Sequence, residues 1–131
     1  MPRSVEVPVT VRWRDFDALG HVNNSVFLSY LEIARDQFLR DTLGDTYLDM
    51  VIARVELDFR AEIPLGTPEI TVTCRALEVG NSSLRTQEQV WLPGGDVAAL
   101  AVTVGVVRDP KTRSSRPWTP EERAILQYAI G

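Results

Sequence analysis

With 131 residues, 44% of them hydrophobic and 24% charged, the chain reads as a single water-soluble globular domain (1–131) with room for its own core. Its 14 basic and 18 acidic side chains leave a net charge of −4, which argues against a nucleic-acid backbone as partner. The lone Cys74 cannot close an internal disulfide, no apolar leader opens the chain, and no run reaches the length of a bilayer span, so the expected setting is the cytoplasm, with no membrane partner.

Val5, Val7, Val9, Val11 and Trp13 alternate with mostly polar residues, the period of a strand with one buried face, and Pro8 within it points to an edge position or a bulge. Residues 14–24 break the alternation. Asn23, Asn24 and Ser25 are good helix caps, and from Val26 the pattern turns helical. Phe27, Leu31, Ala34 and Phe38 share one face, while Glu32, Arg35, Asp36 and Arg40 lie opposite; the helix should run to about Asp41 and stop before Gly44. Alternation returns with Val51, Ala53, Val55, Leu57, Phe59 and Ala61 on one face. Further strands are expected over Ile70 to about Val79, Ser82 to Leu92, and Val97 to Val107, separated by turns at Gly80-Asn81 and Pro93 to Asp96. The last is apolar on both faces and belongs in the middle of a sheet, covered on both sides. Arg108, Lys111, Arg113 and Arg116 form a loose basic stretch that could grip phosphates or simply be solvated. Thr119-Pro120 opens a short C-terminal helix, about 119–130. One apolar helix must therefore lie on one antiparallel sheet, an α+β arrangement that leaves a sheet edge or face for a second copy.

No G-x-S-x-G elbow, Walker loop or G-x-G-x-x-G is present, and one histidine with one cysteine does not make a zinc site. Cofactor-free chemistry must rest on carboxylates, His21, amides and backbone donors. The stretch RDFDALGHVNN offers these together. Gly20 permits unusual dihedrals and a close backbone approach, and the helix that follows offers unpaired N–H groups and the positive end of its dipole. A carbonyl oxygen placed there would be polarised. Asp17 could attack an acyl carbon or activate a water, with His21, Asn23 and Asn24 orienting the reactants; the same residues also serve turns and caps for local reasons.

RDFDALGHVNNSVFLSYLEIAR resembles the opening of the hot-dog-fold thioesterases, in particular the 4-hydroxybenzoyl-CoA thioesterase-like group, and IARVELDFRAEIPLG resembles that group's second strand. The resemblance runs from about Val5 to Val107 and implies a hot-dog fold, one long central helix wrapped by about five antiparallel strands. It implies acyl-CoA hydrolysis without cofactor or metal, in homodimers or homotetramers whose sites lie between subunits. Asp17, rather than Asp15, matches the catalytic carboxylate; His21 and Asn23 accompany it, and backbone N–H groups near Val22 to Asn24 would polarise the thioester. Gly20, Val22, Asn24, Phe27 and Glu62 are the expected substrate-binding residues, with Trp91 a further candidate for shaping the acyl pocket. The H-V-N-N form is also similar to plant-type thioesterases acting on acyl carrier protein, but Leu19 stands where those carry an asparagine. Acyl carrier protein as substrate, and a non-catalytic acyl-CoA-binding module on the same fold, are the alternatives.

Overall fold

The computed structural model describes residues 3–131. Strand β1 (Ser4–Thr10) leads through two short 3₁₀ turns, Trp13–Asp15 and Asn24–Val26, into helix α1 (Phe27–Leu43). Strands β2 (Met50–Phe59), β3 (Glu69–Val79), β4 (Ser83–Trp91) and β5 (Val97–Val107) follow, and helix α2 (Pro120–Ile130) closes the chain. The five strands form one antiparallel sheet in the order β1-β3-β4-β5-β2. Among the described residues no helix is long and apolar enough to cross a membrane.

The four-three-four spacing of Phe27, Leu31, Ala34 and Phe38 puts them on one stripe, and all four are buried. Each such Leu or Phe contributes roughly 1.5–3 kcal/mol by leaving water. The stripe lies over β3, flanked by β1 and β4, on Ile70, Val72, Leu84 and Val90. Gly44 ends α1 at φ +61°, where other residues are strained. Cys74 is a core residue whose thiol pKa is pushed up by burial and then by the nearby Glu88 charge.

Four sequence expectations are corrected. Strand β1 stops at Thr10, because Arg12 and Asp15 cap each other and turn the chain; Trp13 is 82% exposed. Arg35 is not on a solvent face. It is buried, with one guanidinium nitrogen 2.9 Å from Oε1 of the fully buried Glu88, which also accepts from the Thr103 hydroxyl at 2.6 Å. A bulge between Ile52 and Arg54 shifts the phase of β2. Ile52, Val55, Leu57 and Phe59 therefore pair with the buried side of β5, while Val51 joins the opposite face. In β5, Ala99, Ala101, Thr103, Gly105 and Val107 are buried, but Leu100, Val102, Val104 and Val106 on the other face are only half-buried.

Thr119 caps α2 in a reciprocal box with Glu122, and Arg116 grips the same carboxylate through two bonds of 2.8 and 2.9 Å. The Arg116 hydrogen bonds, outweighing burial and helped by Thr119, hold the Glu122 carboxyl down at about 2, below its ordinary 4.5. A depressed folded-state pKa gives stability that is complete above 4.5 and is lost as pH falls through about 2. Urea unfolding across that window should show wild-type stability falling with acid more steeply than that of Glu122→Gln. Parallel curves would remove this ion pair from the account of α2.

Candidate active site

Two segments meet beyond the Phe59 end of β2. The loop from Phe16 to Val22 closes like a small hairpin: Asp17 N–H donates to the His21 carbonyl, Gly20 N–H donates to the Asp17 carbonyl, and Phe16 bridges Val22. Gly20 sits at φ +87°, yet an added Cβ would meet nothing within 4 Å. The left-handed dihedral, and not crowding, requires glycine there. The second segment leaves β2 where the Ala98 carbonyl accepts from both Arg60 and Ala61 N–H. It then docks on the loop through Val22 N–H to the Ile63 carbonyl and Leu65 N–H to the Gly20 carbonyl, which brings Glu62 beside His21.

The two aspartates have different work. Asp15 is 1% exposed and accepts from Arg12 N–H (3.0 Å), the Arg12 guanidinium (3.1 and 3.2 Å) and the Tyr30 hydroxyl (2.7 Å). Burial acts to raise its pKa, but these donors outweigh it and hold the carboxyl below its usual range. Tyr30 is pushed up by burial and by the Asp15 bond. Asp15 thus anchors the loop to α1. Asp17 is half-buried; Oδ1 accepts from Leu19 N–H at 2.9 Å, and Oδ2 accepts from Asn23 Nδ2 at 3.3 Å. His21 Nδ1 lies 3.7 Å from Asp17 Oδ1 and 3.1 Å from the Val22 carbonyl. With that carbonyl as partner, Nδ1 is assigned the proton and Nε2 is left as acceptor.

Asn23 caps the helix start, its Oδ1 accepting from Ser25 N–H and Oγ at 2.9 and 2.7 Å. The expected row of donors at Val22 to Asn24 narrows sharply. Val22 N–H is taken by Ile63 and Asn23 N–H by the Asp15 carbonyl at 2.9 Å, whereas Asn24 N–H has no partner among the described residues. A single backbone donor therefore remains at the turn that opens α1.

A cleft of 390 Å³ is lined by His21, Val22, Asn24, Phe27 and Glu62, together with Leu19, Phe59, Arg60 and Ala61. Phe27 and Phe59 form its aromatic wall, edge to face at 5.2 Å. Asp17, Gly20 and Asn23 are not among its lining residues. Phe59 and Arg60 were not singled out from sequence, where they read as ordinary strand residues. Trp91 is no part of the cleft: it pairs with Thr71 and donates to the Thr73 hydroxyl at 3.1 Å, on the sheet face away from α1. Among the described residues no group of three His, Cys, Asp or Glu side chains could hold a metal ion.

Residues 11–126 match the family described as the Thioesterase-like superfamily. Two solved structures are similar over nearly the whole chain. One is a thioesterase from Thermus thermophilus in complex with coenzyme A and Zn (36% identity, 96% of this chain and 94% of that one, TM-score 0.86). The other is a predicted thioesterase from Bacillus stearothermophilus (25% identity, 98% of both chains, TM-score 0.88). A DHNA-CoA thioesterase from Staphylococcus aureus, at 13% identity, 95% of this chain, 89% of that one and TM-score 0.83, shares the fold. No curated protein gives a significant match.

Proposed function

The chain belongs to the Thioesterase-like superfamily and has the hot-dog fold, and from that premise we propose that it hydrolyses acyl-CoA to the free acid and coenzyme A. The observation that carries this reading is the Asn24 N–H, which has no partner among the described residues and belongs to a residue lining the cleft, with Asp17 held by Leu19 and Asn23 in the adjoining loop. The thioester oxygen accepts from Asn24 N–H, at the positive end of the helix dipole. Asp17 removes a proton from a water while that water's oxygen bonds to the acyl carbon. When the tetrahedral intermediate collapses, the C=O reforms, the C–S bond breaks, and the leaving thiolate takes the proton from Asp17. His21 and Glu62 orient the water and the acyl group, and Phe27 with Phe59 receives the chain. Direct attack of the Asp17 carboxylate on the acyl carbon is the alternative step.

The cleft is half of a site in this reading. Strand β2 is a ten-residue free edge, and its helix-side residues Ile52, Val55 and Phe59 are 43, 36 and 47% exposed because α1 lies over the other strands. Such an edge is a template for pairing. The other edge, β1, is shorter and carries Pro8. A second copy joined at β2 covers the apolar row and walls the cleft.

Thiol release from short, long and aromatic acyl-CoA esters tests the activity. A single turnover in ¹⁸O water tests the mechanism: water activation puts ¹⁸O in all of the first acid released, whereas an unlabelled first acid shows attack by Asp17, with water then cleaving the mixed anhydride at the aspartyl carbonyl. No release from any ester, with coenzyme A still bound, would instead favour a binding module.

A further inference from the structure

The basic stretch after β5 divides in the structure. Arg116 is occupied by Glu122. Lys111 and Arg113 are exposed and make no side-chain ion pair or hydrogen bond among the described residues, and the Arg108 Nε is buried without a partner. Arg108 and Arg113 line a 150 Å³ recess with Leu48, Asp49, Asp109 and Pro110. Asp109 is engaged in shaping the turn: its Oδ1 accepts from Lys111 and Thr112 N–H at 2.8 and 3.2 Å, and Arg113 follows at φ +60°. Two exposed cations, with Arg108 beside Arg113 in the recess, are thus presented on a built loop.

The loop is at the wrong end of its own subunit. Arg108 N–H donates to the Asp49 carbonyl, beside Met50, while the cleft adjoins Phe59, the length of β2 away. Ten residues of strand span about 33 Å. Symmetry removes this distance. Two identical edge strands joined in one continuous sheet by a two-fold axis must run antiparallel. The Met50 end of each β2 then lies beside the Phe59 end of the other. We infer that Arg108, Lys111 and Arg113 of one protomer hold the nucleotide phosphates of the coenzyme A whose thioester lies in the cleft of its partner. The inference rests on the acyl-CoA reading and on pairing at β2. Arginine forks match phosphate oxygens well, and Arg108 and Arg113 line one recess together.

The test is subunit complementation. Lys111→Glu/Arg113→Glu should raise KM for acyl-CoA about tenfold or more, since two charge-assisted contacts become repulsive. KM for the matching acyl-N-acetylcysteamine, which lacks the nucleotide, should not move. The decisive species is a heterodimer, purified through two tags, of that variant with Asp17→Asn. One of its two sites carries both lesions and the other carries neither, so it should show wild-type KM at half the wild-type kcat. A heterodimer that keeps the raised KM places the cations in their own subunit's site and overturns the inference, as does an unchanged KM in the double variant or a chain that stays monomeric; hydrolysis itself would stand in each case. Should the wild type release no thiol, the hydrolase reading falls. Calorimetry with free coenzyme A then decides here: binding that survives the double charge reversal overturns the assignment, and binding lost with it upholds the cations as the phosphate site.

Discussion

Asp17→Asn is expected to lower kcat/KM for acyl-CoA by about 10²–10⁴-fold while leaving the fold in place. The amide keeps an oxygen for Leu19 N–H, so the loop retains the shorter of the two bonds made by the carboxylate. Its nitrogen meets Asn23 Nδ2, donor against donor, which removes only the 3.3 Å contact. That costs about 1 kcal/mol, a loss readable in thermal unfolding and far below the loss in turnover. What disappears is the ability to take a proton from water. Asp15→Asn, two residues away, supplies the contrast: it disturbs a buried carboxylate held by Arg12 and Tyr30 and should act mainly on stability. Thiol release and melting curves on both variants separate the roles. Full turnover by Asp17→Asn would take this residue out of the chemistry.

Periodicity carried most of the architecture, because the apolar residues of α1 and β3 face one layer each and their spacing has no competing reading. It failed where one extra residue or one distant partner decides the outcome. The β2 bulge adds a residue without any glycine or proline to mark it, so the alternation from Val51 to Phe59 looked unbroken. Arg35 belongs to the polar set of a helical wheel, and only Glu88, fifty-three residues on, makes its burial tolerable. The loop was legible as a constellation, Asp17 with His21 and Asn23, since those residues are neighbours in the chain. Of its second wall only Glu62 was singled out, through the family resemblance. Phe59 and Arg60 join it at the cleft where the Ala98, Ile63 and Leu65 backbone bonds set the path of the chain, which no local pattern announces. Least visible was the state of each N–H: the sequence offers three equivalent donors at Val22 to Asn24, and tertiary acceptors occupy two of them.

That last distinction gives the most pointed test of the oxyanion donor, because proline can delete one N–H and little else. Asn24 is the first residue of its 3₁₀ turn, the position where proline is favoured, and Asn23 before it is extended at φ −63° and ψ 137°, as a residue preceding proline should be. The deleted N–H has no partner among the described residues, so Asn24→Pro removes no protein hydrogen bond through that atom. Loss of one oxyanion donor typically lowers kcat by about 10²–10³-fold. Asn24→Ala is the companion variant. It discards the side chain and keeps the N–H, and it should retain most of the turnover. The pair separates backbone from side chain at one position: a proline variant that melts like wild type and has lost kcat assigns the polarising role to the Asn24 N–H. If the alanine variant falls equally, the amide side chain is the working group; if neither falls, the thioester oxygen is held elsewhere in the cleft.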